Sequence, residues 1–202
     1  MSASEQKRQK KLAKQKKKRK EKITHITHNK NAFIDSLKSF EQASKYPIHE
    51  CYVTENMFEI GMGTVFISRK ITATTFAVSI FLLDTYFYGV KNAFNVMASY
   101  QSYSKRLFDL KENQPMIIAE PSYVRKLIED SIAYAKNLGV NPHADYAEAK
   151  YILGDIDASE CTTTFEFGND GRPLLISGPP DDFDEDDFFF GDGELEDDED
   201  EK

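Results

Sequence analysis

Asp155 and Asp157 stand two residues apart in the segment Gly154-Asp155-Ile156-Asp157. Two carboxylates at that spacing can share a divalent metal ion, with Asp84 or Glu50 as a further ligand. Such a cluster would serve a metal-dependent hydrolase or nuclease, with the divalent ion as its cofactor. The plainer reading of a bare Asp-x-Asp is a polar loop whose carboxylates cap turns. His49 and Cys51 alternate along an expected strand, which places both on one face as a pair of ligands requires. His143 and Cys161 would complete a Cys2His2 zinc set, although no compact Cys-x2-Cys pair fixes its second half. Cys51 beside His49 or His143 is also a nucleophile–base pairing, which needs a thiol of lowered pKa; a small buried strand cysteine is the alternative. Lys91 lies near the expected start of a helix, where the dipole disfavours a cation. An anionic ligand, a pairing with Asp84 or a solvent-facing lysine each accounts for it. Gly61-x-Gly63 leads into a strand, so it reads as a turn and not as a phosphate loop.

The strongest chemical signal is electrostatic. The 202 residues carry a formal charge of -8, but eleven Lys/Arg and two Glu fall within residues 1–22, a local +9. These cations are Lys7, Arg8, Lys10, Lys11, Lys14, Lys16, Lys17, Lys18, Arg19, Lys20 and Lys22. Each one that meets a phosphate releases counterions, so the segment can bind RNA or DNA without reading sequence. It has no aromatic residue to stack on a base. Residues 181–202 hold fourteen Asp/Glu and one Lys, a local -13, together with Phe183, Phe188, Phe189 and Phe190. That end suits a basic protein partner, or the chain's own basic segment, against which it would act as a competitive brake.

Such compositions predict a disordered basic tail over 1–28 and a disordered acidic tail over 181–202, around a globular domain at 29–180. Two cysteines make no disulfide framework, and the longest apolar run, 76–90, is broken by Ser79, Asp84 and Thr85. The expectation is therefore a cytoplasmic protein with no membrane partner. Within the domain, apolar spacing predicts a helix over 31–44, strands at 49–55, 64–70 and 75–86, and a helix over 92–110. A helix entered at Pro121 and stopped by Gly139 follows, then a short one over 145–153 ending at Gly154. Strands 163–167 and 174–177 flank Gly168-Asn169-Asp170-Gly171, a hairpin signal. The fold class is single-domain α+β, a largely antiparallel sheet of about five strands covered by helices.

The segments HECYV (49–53), GMGTVFISR (61–69), YGVKNAF (88–94), GDID (154–157) and FGNDGRPLLISGP (167–179) resemble, in this order, a family of uncharacterised bacterial proteins. The resemblance implies a single bacterial-type cytosolic domain and no particular activity. The functional expectation is a non-catalytic, nucleic-acid- or ribosome-associated protein. The alternatives are the metal-dependent hydrolase or nuclease above, and an interaction module acting through the acidic end.

Overall fold

The computed structural model describes residues 40–175. The basic segment 1–28 and the acidic segment 181–202, with every candidate residue from Lys7 to Lys22, lie outside the described residues.

Five antiparallel strands form one sheet: β1 (Ile48–Thr54), β2 (Met62–Lys70), β3 (Thr75–Asp84), β4 (Gly89–Ser99) and β5 (Met116–Ile118), in the order β4-β3-β2-β1-β5. Strands β1 to β4 follow one another through short turns, so neighbours in sequence are neighbours in space. Both faces of the sheet are covered, which is why the inner strands read as nearly continuous apolar runs. On one face Cys51, Val53, Val65, Ile67, Ala77, Phe81 and Leu83 meet helix α3 (Pro121–Asn137), through Val124, Leu127, Ile128 and Ala135. The short helix α4 (Tyr146–Ala149) and the 3-10 turn Lys150–Leu153 complete that layer, with Ala149 and Ile152 fully buried. On the opposite face Tyr52, Phe66, Phe76, Val78 and Ile80 meet helix α2 (Tyr100–Asn113) through Tyr103 and Leu107. Helix α1 (Met57–Ile60) is one turn between β1 and β2. The class expected from the sequence, an α+β domain built on an antiparallel sheet, is what the fold shows.

Three local expectations are corrected. The helix expected over 92–110 is divided: residues 89–99 form β4, and the helix begins only at Tyr100, where the Ser99 hydroxyl accepts from the Ser102 N–H. Phe94 and Met97 mimic helical spacing, yet Phe94, Val96 and Ala98 alternate onto the α2 face once β4 zips to β3. The expected strands 163–167 and 174–177 are not formed among the described residues. Only an isolated Asn169–Arg172 bridge closes the turn, where Asp170, Gly168 and Gly171 take positive φ. Phe165 and Phe167 leave the sheet to pack against Phe58, Tyr123 and Tyr134. The fifth strand is instead Met116–Ile118, paired with β1.

Candidate functional site

The Gly154 loop is built around a buried arginine. Arg69 occupies the same face of β2 as Val65 and Ile67 and is 3% exposed. Its Nε donates to the Ile152 carbonyl at 2.7 Å, Nη2 to that of Leu153 at 3.1 Å, and Nη1 to that of Tyr46. Two of these carbonyls end the 3-10 turn, where unsatisfied oxygens collect and a cation is favoured. Gly154 follows at φ 50°, and a Cβ there would stand 2.8 Å from the Ser44 carbonyl and 2.9 Å from Arg69 Nη2. Only glycine passes through that gap. From α3, Arg125 reaches over the other side of the loop and donates to the carbonyls of Gly154 and Ile156 at 2.9 and 2.7 Å. One guanidinium thus holds the chain that leads into Gly-Asp-Ile-Asp, and the other holds the Gly-Asp-Ile-Asp backbone itself.

Its two carboxylates differ in their surroundings. Asp155 is 94% exposed and 3.7 Å from Arg69 Nη2. Asp157 accepts from the backbone N–H and the hydroxyl of Ser159 at 2.8 and 2.7 Å, which caps the turn Ala158–Glu160 and holds the Asp157 carboxyl below the usual carboxylate range. Exchange of Asp155 for Ala should change stability by less than about 0.5 kcal/mol, because the carboxylate is solvated and its long contact with Arg69 is screened by water. Urea unfolding of Asp155→Ala checks this; a clear loss would give the carboxylate a role beyond that contact.

Asp84 lies at the far end of the sheet. It pairs with Met62, whereas Arg69 stands seven residues further along β2, about 23 Å at the rise of a strand. It is fully buried, and Oδ1 accepts from the backbone N–H groups of Tyr86 and Phe87 at 3.0 and 2.8 Å. The aspartate therefore closes the β3–β4 turn. Gly89 completes it at φ 65°, where a Cβ would meet the Ser131 carbonyl of α3 at 2.7 Å. Lys91 does not begin a helix. It is the extra residue of a bulge, since Leu83 pairs with Val90 and Leu82 with Asn92, and its side chain is exposed.

His49 and Cys51 do not share a face. A register shift between Ile48 and Glu50 breaks the alternation, as a bulge does. The His49 ring lies 5.0 Å from Phe76 and 5.6 Å from Tyr103 on the α2 side, while Cys51 is buried on the α3 side. Glu50 joins His49 there and accepts from the Tyr103 hydroxyl; burial and that bond push the Tyr103 phenol up. His143 runs along the outside of β4, its N–H donating to the Val90 carbonyl at 3.0 Å. Strand β4 is three strand spacings from β1, about 14 Å, so His143 cannot complete a site with Cys51. Cys161 is half-buried. Among the described residues no group of three His, Cys, Asp or Glu side chains is placed to hold a metal ion.

Burial pushes the Cys51 thiol up to about 12, against a smaller opposing effect of Arg69, so at neutral pH it is a protonated core side chain. A thiol reagent at pH 8 should label Cys161 and leave Cys51 untouched until the protein is unfolded; prompt labelling of both would contradict the packing. The sign of the pH effect follows. The unfolded thiol releases its proton first, so the contribution is intact below about pH 8.5 and declines as pH rises toward 12.

The sequence segments that stood out are one another's packing partners. GMGTVFISR meets GDID through the Arg69–Asp155 contact. The β3–β4 turn meets FGNDGRPLL through the N–H groups of Gly168 and Leu174, which donate to the carbonyls of Thr85 and Tyr86. Arg69 was missed as a key residue, although its place in the inward alternation Gly63, Val65, Ile67, Arg69 signals a buried cation. No family model, curated protein or solved structure matches this chain. No helix among the described residues is long and apolar enough to cross a membrane.

Proposed function

We propose that this chain is a non-catalytic polynucleotide-binding protein of the cytoplasm, which takes its affinity for RNA or DNA from residues 7–22. The observation that carries the reading is the concentration of eleven Lys/Arg in the first 22 residues. Nothing else in the chain offers phosphate a comparable field. Residues 40–175 hold twelve Lys/Arg against seventeen Asp/Glu, and Arg69 and Arg125 are engaged with backbone carbonyls. The folded part is net repulsive to a polyanion, so attraction must come from the leading segment. Association with a ribosome is the cellular form this chemistry would take, because ribosomal RNA offers a dense and sequence-tolerant phosphate surface. The engagement of Asp84 in a turn and of Asp157 in a cap, with Asp84 at the far end of the sheet from Asp155, favours this reading over the metal-dependent hydrolase.

Fluorescence anisotropy with a labelled single-stranded RNA and a labelled DNA duplex, each of mixed sequence, tests it. The full chain should bind both in dilute buffer, and a chain beginning at Ile23 should bind neither. Equal binding by the two proteins would move the site into the folded part and end the proposal.

A further inference from the structure

We propose that the outer edge of β4 is a self-association surface, pairing antiparallel with β4 of a second copy of this chain to join two five-stranded sheets into one. Strand β4 is the longest of the five and closes one side of the sheet, with β3 as its only strand neighbour among the described residues. The Tyr100 N–H donates to the Thr74 carbonyl on the β3 side. Alternation then aims the N–H and C=O groups of Ala93, Asn95, Met97 and Ser99 away from β3. Among the described residues the outer edge carries one backbone bond, from His143 to Val90, which covers only the start of the strand. The Ala93 N–H donates to the Asn92 side-chain oxygen at 2.6 Å, and the outward backbone groups of Asn95 and Met97 have no partner among the described residues.

Open edges of this length are usually blunted by charge, proline or a bulge. Here the single bulge and the single charge coincide at Lys91, before the open stretch, and 92–99 (NAFNVMAS) contains neither proline nor an ionisable group. The absence of charge favours a second copy as the occupant. Two identical edges meet with no like charges across the ladder, which would otherwise oppose pairing. A charged partner would gain nothing from this stretch. The side chains suit a two-fold centred on Asn95. Asn95 then faces Asn95 of the second copy, amide to amide, and Ala93 faces Met97, small against large. The outward backbone groups from Ala93 to Met97 would form about six hydrogen bonds, the Ala93 N–H exchanging the Asn92 side chain for the second copy. Met97, 36% exposed, would be covered. The opposite edge, β5, has three residues and ends in Ile118, too short to form such a ladder.

Sedimentation velocity over a range of micromolar concentrations, with hydrogen exchange at the two extremes, tests the pairing. The expected result is a monomer–dimer equilibrium in which the amides of Asn95 and Met97 gain protection only at high concentration. Asn95→Lys sets two like charges opposite each other at the axis and should raise the dimer dissociation constant at least ten-fold. Ile118→Lys, on the other edge, should leave it unchanged. A monomer at every concentration overturns the proposal. So does protection of these two amides that is independent of concentration, since the chain itself would then cover the edge. A dimer that dissolves in high salt while these amides exchange freely would be held by the charged ends, and overturns it too. The exchange readout on the unaltered protein decides the question even if Asn95→Lys fails to fold.

Discussion

Replacing Lys16, Lys17, Lys18, Arg19 and Lys20 with glutamine will weaken polynucleotide binding at low salt by about 10²-fold or more, while leaving the folded domain's unfolding midpoint unchanged. These five lie consecutively among the eleven cations of residues 1–22. Each phosphate contact removed reduces the salt slope by about 0.7 for a single strand and 0.9 for a duplex, so the variant should respond to salt far more weakly than the parent. The loss should be similar for RNA and DNA and for any sequence, because the segment has neither aromatic residues nor another means of reading bases. Anisotropy titrations of both proteins at two salt concentrations measure it. A variant that keeps the affinity but changes sequence preference would point to base recognition instead.

The second large effect is on stability. Arg69→Met should cost about 3–5 kcal/mol, as removal of one partner from a buried charge-assisted network does. The methionine fills much of the space, but it leaves the carbonyls of Tyr46, Ile152 and Leu153 without the donors they now have. Those carbonyls join the end of the helical residues 40–43, the strand β2 and the 3-10 turn before Gly154, so the penalty should fall on the whole domain and not on one loop. Arg69→Lys should recover only part of the loss. An ammonium keeps the charge, but cannot present three donors in a fixed fork to three carbonyls. Urea unfolding followed by circular dichroism reads both values. A loss below about 1 kcal/mol for Arg69→Met would show that water replaces the guanidinium without difficulty.

The parts of the fold visible in the sequence were those where local signals agreed. Strands β1 to β3 announced themselves by β-branched and aromatic runs between turns, and α3 by Pro121 at its start and a single apolar stripe. The break at Gly154 was legible because helical spacing stops there. Strand β4 was not, because small and polar residues (Asn92, Ala93, Asn95, Ala98) blur its two-residue alternation, and Phe94 and Met97 sit three apart by coincidence. The bulge at His49 was out of reach for a different reason. It is set by which β2 residue each β1 residue meets, a property of the pair and not of either strand alone. The same holds for Asp155 and Asp157, which looked like ligands because spacing records separation and not direction. Arg125, 29 residues before Gly154, decides what that loop does, and no local pattern contains it. Of the candidate carboxylates, Asp84 closes a turn, Asp157 caps one and Asp155 is exposed, while the electrostatic signal of the leading segment stands on composition alone.

The slope of log binding constant against log salt, for the intact chain on a DNA duplex, tests the central claim most directly. Engagement of most of the eleven cations predicts a linear plot with a slope steeper than about -5. A plot that is flat, or a protein that does not bind the duplex even in the most dilute buffer, would contradict the account.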